Sequence, residues 1–205
     1  MINNYNHSMT VMMALALSAL LFKPVFADQA DTPSVVKESD DTEGALMPNT
    51  GIKKEDREIS TKILNSLLAD EFVLLTQTLN YHWNLIGPEF NDYHKLFGEQ
   101  YKQIFEMIDE IAERTRSVGG LALGSMEAFK KHAGLNEDQG APPTPKVMVK
   151  NLLAQHEALI MKLRNWVNDT GAENRDMGTS NFLTDILTKH EKTAWMLRAL
   201  ASRHR

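Results

Sequence analysis

The chain has 205 residues, of which 24% are charged and 42% hydrophobic, which is typical of a soluble globular protein with one full-sized core. Its formal net charge of -5 gives no general reason to expect a nucleic-acid partner, because phosphate binding depends on clustered lysine and arginine. The lack of cysteine excludes disulfides, thiolate metal sites and cysteine nucleophiles. Any metal chemistry must therefore use histidine, aspartate and glutamate.

The amino-terminal segment predicts export. Residues 9–22 (MTVMMALALSALLF) form an uncharged apolar run, and a Val-Phe-Ala sequence ending at Ala27 follows it. We expect a signal peptide over residues 1–27, cleaved after Ala27, and a periplasmic or otherwise exported protein. Fourteen residues are too few to span a bilayer comfortably, so no stable membrane anchor is expected. The first eight residues contain no Lys or Arg, which leaves a cytoplasmic apolar tail as the alternative.

The rest of the chain divides into a tail and a helical body. Residues 28–52 are rich in acidic and small polar side chains without an aliphatic pattern, which predicts a flexible acidic tail. In residues 53–205 the apolar side chains recur at three- and four-residue steps, as in amphipathic helices. No strand pattern is found, so the fold is predicted to be all-α, a four-helix bundle with one long crossing connection. The predicted long helices cover about 57–85, 89–118, 145–167 and 179–202, and a short helix covers 125–132.

Two histidines flank a Gly-Pro corner in the stretch HWNLIGPEFNDYH. His82 lies five residues before the glycine and His94 six residues after the proline. If the two helices fold back as an antiparallel pair, both imidazoles lie at about the same distance from the turn and can face each other. By itself, however, a histidine near a helix end is more often a hydrogen-bonded polar residue than a metal ligand.

A pair of carboxylates lies further along the second helix. Asp109 and Glu113 are four residues apart, which places them on one helix face, and imidazole together with carboxylate oxygen suits iron. On one continuous helix, however, Asp109 is about 22 Å from His94. A site that contains all four residues must therefore combine the histidines of one chain with the carboxylates of its neighbour. The alternative is a solvated helix face with a local ion pair to Arg114.

Two other histidine-glutamate pairs resemble halves of a zinc-protease motif. His156 and His190 are each followed by glutamate, but neither has a second histidine at the required position. A zinc protease is therefore disfavoured, and both histidines are expected to be bundle or interface residues.

The residues between 64 and 120, LNSLLADEFVLLTQTLNYHWNLIGPEFNDYHKLFGEQYKQIFEMIDEIAERTRSVGG, resemble the Dps family of miniature ferritins. HEALIMKLR and HEKTAWMLRAL resemble the same family, so the likeness covers about residues 53–201. The resemblance implies a ferritin-like four-helix bundle assembled as a hollow dodecamer. It also implies dinuclear iron centres between two-fold-related subunits, which oxidise Fe(II), preferably with hydrogen peroxide, and store the ferric product.

The resemblance also assigns roles to residues. It implies that His82 and His94 ligate iron together with Asp109 and Glu113 of the adjacent subunit. Trp83 matches the tryptophan beside the centre, a residue that can accept an electron and limit radical escape.

Three positions depart from the family pattern, and each lacks a carboxylate. Gly98 occupies the place of an acidic residue four positions after the second histidine, and Glu99 cannot simply replace it because one helical step rotates by about 100°. Gln155 and Asn181 stand where acids commonly line the three-fold pores. With fewer acidic side chains, we expect weaker Fe(II) binding and pores that attract cations less strongly. Water could instead complete the coordination, with other acids serving the pores: Asp169, Glu173 or Asp176.

The favoured function is an exported, Dps-like ferroxidase and iron-storage protein that protects against oxidative damage. One alternative is a cage with impaired ferroxidase activity that acts as a metal-binding or structural protein, as Gly98 suggests. DNA binding is the least favoured, because the tail is acidic rather than rich in lysine.

Overall fold

The computed structural model describes residues 47–202, so the predicted signal peptide and most of the predicted tail lie outside the described part. Within that part there is no strand, and none of the helices is both long and apolar enough to cross a membrane. The predicted all-α class and the short helix in the long connection are confirmed. The helices are α1 (Lys54–Asn84), α2 (Phe90–Ser117), α3 (Met126–His132), α4 (Pro145–Asn168) and α5 (Met177–Ala201), and a π-helical segment (Asp169–Glu173) follows α4.

The helices form an antiparallel four-helix bundle. α1 pairs with α2 across the Gly-Pro corner, α4 pairs with α5, and α3 packs against α1. Each long helix places leucine and isoleucine at helical steps toward the centre, which buries a continuous apolar core. Fully buried core side chains include Leu64, Leu67, Leu74, Ile104, Ile111, Leu152, Leu159, Leu163, Leu183, Ile186 and Leu197.

The end of α2 shows why the predicted boundary was accurate. Gly119 has φ +91°, in the left-handed region that favours glycine. Its amide donates to the carbonyl of Arg116 at 3.0 Å, and the amide of Gly120 donates to the carbonyl of Thr115 at 3.0 Å. These two bonds make a Schellman motif, which satisfies carbonyls that the helix end would otherwise leave free.

The start of α5 differs from the prediction. A π-helical segment that was not predicted precedes it, and α5 begins two residues earlier than predicted. The reason is Asp176, whose carboxylate accepts from the backbone amide of Thr179 at 3.0 Å and so caps the helix. The same carboxylate accepts from Ser60 of α1 at 2.8 Å and pairs with Arg114 of α2 at 3.2 Å.

This network removes Asp176 from the set of acids suggested for a pore. Its side chain is 1% exposed and every contact described above is internal to the bundle. Burial alone would raise the pKa of Asp176, but the hydrogen bonds from Thr179 and Ser60 and the charge of Arg114 outweigh burial and lower it. Asp176 is therefore a buried structural carboxylate that joins three helices.

A second buried carboxylate fixes the long connection between α2 and α4. Asp70 of α1 accepts from the backbone amides of Gly134 at 2.6 Å and Leu135 at 2.8 Å. It also pairs with Lys162 of α4 at 2.7 Å. The connection is thereby held against the bundle at a point just after α3.

Candidate metal centre

The predicted histidine pair forms at the corner between α1 and α2. The His82 and His94 rings are stacked, with centroids 3.8 Å apart and planes 17° from parallel. Nδ1 of His82 lies 2.9 Å from the carbonyl oxygen of His94, and Nδ1 of His94 lies 3.0 Å from the carbonyl oxygen of His82. The antiparallel turn thus brings the two imidazoles together, as their spacing predicts.

These reciprocal bonds fix which nitrogen atom of each ring carries the proton. A carbonyl oxygen can only accept, so each Nδ1 must carry the proton. In the neutral form each Nε2 then keeps its lone pair, which is the arrangement of a histidine prepared to bind a metal ion. Burial and the nearby charges of His94 and Lys102 lower the pKa of His82 below its ordinary 6.5, although its hydrogen bond to the His94 carbonyl acts in the opposite direction.

Aromatic side chains hold the pair on two sides. The Phe90 ring stacks on His94 with centroids 4.9 Å apart, and the Tyr101 ring meets His82 edge-on at 5.1 Å. Sequence reasoning gave neither residue a role at the site. Their spacing carried a signal, since Phe90 lies one helical turn before His94 and Tyr101 two turns after it, on the same face of α2. Trp83, the next residue after His82, is 69% exposed.

The two carboxylates do not join the histidines within one chain. Asp109 and Glu113 are both exposed on α2, about 22 Å along the helix from His94. Among residues 47–202, no group of three or more histidine, aspartate and glutamate side chains is placed to hold a metal ion. The suggested ion pair with Arg114 does not form either, because that guanidinium pairs with Asp176. Within one chain the histidine pair (the histidine half of the candidate site) is therefore separate from the carboxylate pair (its carboxylate half).

The surface around Asp109 is apolar. Asp109 lines an open cavity of about 260 Å³ together with side chains of α1, α2 and α3. Nearby, Phe105 on α2 is 62% exposed, and Leu121, just after α2, is 77% exposed. Large apolar side chains exposed on one face commonly mark a protein interface. The carboxylate half thus lies beside a surface suited to another chain.

The two positions that the resemblance places at pores differ in how exposed they are. Gln155 is half-buried, and its amide nitrogen donates to the carbonyl of Asn136 at 3.0 Å. Asn181 is exposed on α5, and Glu173 is exposed on the π-helical segment.

A second histidine pair lies inside the bundle. Nε2 of His190 is 2.7 Å from the Glu71 carboxylate, and Nδ1 of His190 is 2.9 Å from Nδ1 of His156. All three side chains are buried, with 0 to 1% exposure, and burial followed by the nearby His190 lowers the pKa of His156 well below 6.5. The expectation that these histidines are bundle residues is confirmed, and their partners could not be read from the sequence.

Comparison with known proteins agrees with the fold. The ferritin-like domain model matches residues 61–205. A low temperature-induced protein of Nostoc sp. is 45% identical over 151 residues, which covers 74% of this chain and 84% of the relative. DNA protection during starvation protein 2 of Bacillus anthracis is 34% identical over 67% of this chain and 93% of its own length.

A solved structure extends the comparison to three dimensions. The Dps protein from Vibrio cholerae O1, described as a member of a broad superfamily of ferritin-like diiron-carboxylate proteins, is similar with a TM-score of 0.71. It is 28% identical in sequence, and the match covers 77% of this chain and 98% of that chain. The ferritin-like domain match, the helical bundle and the Dps relatives show that this chain belongs to the Dps family of ferritin-like proteins.

Proposed function

We propose that this protein is a ferroxidase and iron-storage protein that oxidises Fe(II), preferably with hydrogen peroxide, at centres shared between two subunits. The observation that carries the proposal is the His82–His94 pair, in which both Nδ1 atoms are bonded to backbone carbonyls and both Nε2 lone pairs remain for a metal ion. Imidazole and carboxylate together suit iron. The carboxylates are Asp109 and Glu113 of a neighbouring chain.

The proposed division of the site makes assembly a condition of activity. In a two-fold dimer each chain gives its histidines to one centre and its carboxylates to the other. The apolar surface around Phe105 and Leu121 supports contact between chains at the carboxylate half. By family analogy we propose that the dimers assemble further into a hollow dodecamer that stores the ferric product.

The proposed reaction consumes two reagents that are harmful together. Two Fe(II) ions and one hydrogen peroxide molecule, with two protons, give two Fe(III) ions and two water molecules, so no hydroxyl radical is released. For one peroxide to receive both electrons, His82, His94 and the partner carboxylates would have to hold both Fe(II) ions close together. The resemblance suggested that Trp83 accepts an electron, but an oxidising radical is quenched when the indole gives one up. We therefore propose that Trp83, which is largely exposed next to His82, donates an electron when a radical forms and so limits its escape.

DNA binding is not part of this proposal, because the chain has a formal net charge of -5 and an acidic amino-terminal tail. We also propose export, from the apolar run before Ala27. Sequencing the amino terminus of the native protein tests this point, since a mature chain that still begins at Met1 contradicts export.

Mixed assemblies test the shared centre most sharply. One variant carries His82→Ala and His94→Ala, the other carries Asp109→Ala and Glu113→Ala, and each is expected to lose peroxide-driven iron oxidation when assembled alone. When the two are co-assembled in equal amounts, about half of the two-fold dimers contain one chain of each kind, and each such dimer has one intact centre. The mixture should therefore recover about one quarter of the wild-type rate.

The outcomes separate three alternatives. Recovery near one quarter supports centres built from two chains. No recovery, with an active wild type, contradicts the assignment of Asp109 and Glu113 to the partner. If the wild-type protein oxidises iron no faster than buffer, the ferroxidase proposal fails and the chain is a metal-binding or structural cage.

A further inference from the structure

Gly98 lies where a side chain would meet the metal centre. It is an interior residue of α2, and glycine at such a position costs about 1 kcal/mol relative to alanine. Its backbone is not in the left-handed region, so conformational freedom does not explain it. A Cβ atom at this position would lie 3.3 Å from Cε1 and 3.6 Å from Nδ1 of His82. The space at residue 98 is therefore taken up by the imidazole.

The His82 ring has little room to move away from α2. Its Nδ1 is bonded to the carbonyl of His94 at 2.9 Å, one face stacks on the His94 ring at 3.8 Å, and Tyr101 meets it edge-on at 5.1 Å. Carbon atoms in good contact are about 3.5 to 4.0 Å apart, so a Cβ at 3.3 Å would press on the ring. A Cβ at residue 98 therefore requires the His82 ring or α2 to shift by a few tenths of an ångström.

We propose that Gly98 is a positioning residue of the metal centre. The missing side chain lets the His82 imidazole lie directly against α2, where its bond to the His94 carbonyl aligns Nε2 for a metal ion. This inference deepens the proposed function and rests on it for the role of the histidine pair. It also predicts that an acidic residue at position 98 of this chain displaces a ligand instead of adding one.

Two substitutions test the proposal in the full assembled protein. Gly98→Ala adds only a Cβ, and Gly98→Asp adds the carboxylate that would serve as a further ligand. Co(II) alone is the probe, because its absorption reports imidazole coordination. Since orientation of a ligating histidine is worth about tenfold or more in metal affinity, both variants should bind Co(II) at least about tenfold more weakly than wild type. Lys95→Ala, an exposed position on the same helix, is the matched control and should not change the affinity.

The opposite result overturns the proposal. If Gly98 is simply a lost ligand, Gly98→Asp will bind Co(II) more tightly than wild type and Gly98→Ala will bind it equally well. Thermal melting of the metal-free variants checks folding, and Gly98→Ala should melt no lower than wild type, because alanine favours the helix.

A crystal structure of metal-free Gly98→Ala gives a readout that needs no metal. We expect the distance from His82 Nδ1 to the His94 carbonyl to lengthen from 2.9 Å by a few tenths of an ångström. An unchanged distance contradicts the proposal even if metal binding falls. Failure of the proposed function is distinguishable: a wild type that binds Co(II) through His82 and His94 but does not oxidise iron leaves the role of Gly98 intact.

Discussion

The two histidine pairs use the same residue type for opposite purposes. At the corner of α1 and α2, His82 and His94 donate hydrogen bonds from Nδ1 to backbone carbonyls and are only partly buried. Inside the bundle, His156 and His190 bond to each other, and His190 also bonds to Glu71. The first pair keeps a lone pair on each Nε2 for an outside partner. The second pair uses three of its four nitrogen atoms for contacts inside the protein, while Nε2 of His156 is buried without a hydrogen-bond partner among the described residues.

The difference shows that burial and hydrogen-bond partners, more than residue identity, decide what a histidine can do. The corner pair is expected to matter for metal binding and little for folding, because its rings lie at the surface and its bonds are local. The interior pair is expected to matter for folding and little for metal binding. Four measurements can break or sharpen this distinction, beginning with the largest expected effect.

Removing His190 should cause the largest loss of stability. His190→Ala leaves the fully buried Glu71 without its hydrogen-bond donor, and breaking such a buried pair costs about 3 to 5 kcal/mol. Denaturant unfolding at fixed chain concentration measures the loss. Replacing Glu71, His156 and His190 together by leucine should be closer to wild type, since no member of this network is then left unpaired. Equal losses in the single and triple variants would contradict this explanation.

Removing the corner pair should abolish metal binding without large loss of stability. The His82→Ala, His94→Ala double variant loses both imidazole ligands, so Co(II) affinity should fall by about 100-fold or more. His132→Ala, at an exposed histidine of α3, is the control and should bind as wild type does. Comparable weakening in both proteins would show that the corner is not the main site.

Stability should fall in acid because of the interior pair. The folded protein holds the pKa of His156 well below 6.5, whereas the unfolded chain has an ordinary pKa near 6.5. Below that pH only the unfolded chain takes up the proton, so the unfolding free energy declines by up to about 1.4 kcal/mol per pH unit, and above it the effect vanishes. Unfolding curves between about pH 5 and 8 measure the slope. In His156→Leu the slope of the unfolding free energy against pH should be smaller by the contribution of one proton. An unchanged slope would assign the effect to groups other than His156.

The smallest effect is expected at Lys102. Its positive charge is the least of the causes that lower the pKa of His82, after burial and the neighbouring His94. Lys102→Met should raise that pKa slightly, so that protons compete with Co(II) at a somewhat higher pH. The pH midpoint of Co(II) binding checks this, with Lys95→Met as the control. A shift to lower pH would contradict the electrostatic assignment.

Local patterns account for the parts of this structure that the sequence predicted well. Helix positions follow from apolar spacing, and the Gly119-Gly120 pair ends α2 through bonds within one turn. The His82–His94 contact was predictable because only a short corner separates the two residues.

The features that were missed depend on distant segments. The contact between His156 and His190 depends on how α4 and α5 align, and the two residues are 34 positions apart in sequence. The burial of Asp176 likewise depends on Ser60 and Arg114, which are far away in sequence. The partner proposed for Asp109 and Glu113 is another chain, so its contacts with them cannot be read from the periodicity of one chain.

The segment just before α1 has a practical consequence for protein engineering. Arg57 donates to the carbonyl of Ile52 at 2.6 Å, and Pro48 lies so close to Gly119 that a Cβ there would approach it to 2.7 Å. Residues 47–52 therefore lie at the end of the bundle where α1 begins, about 40 Å along α1 from His82. A fluorophore or affinity tag joined ahead of Met47 is attached at the end of the bundle that is remote from His82 and His94. The same end carries Glu113, which lies only about 9 Å along α2 from Gly119, so a label there is close to the carboxylates proposed for the centre shared with a partner.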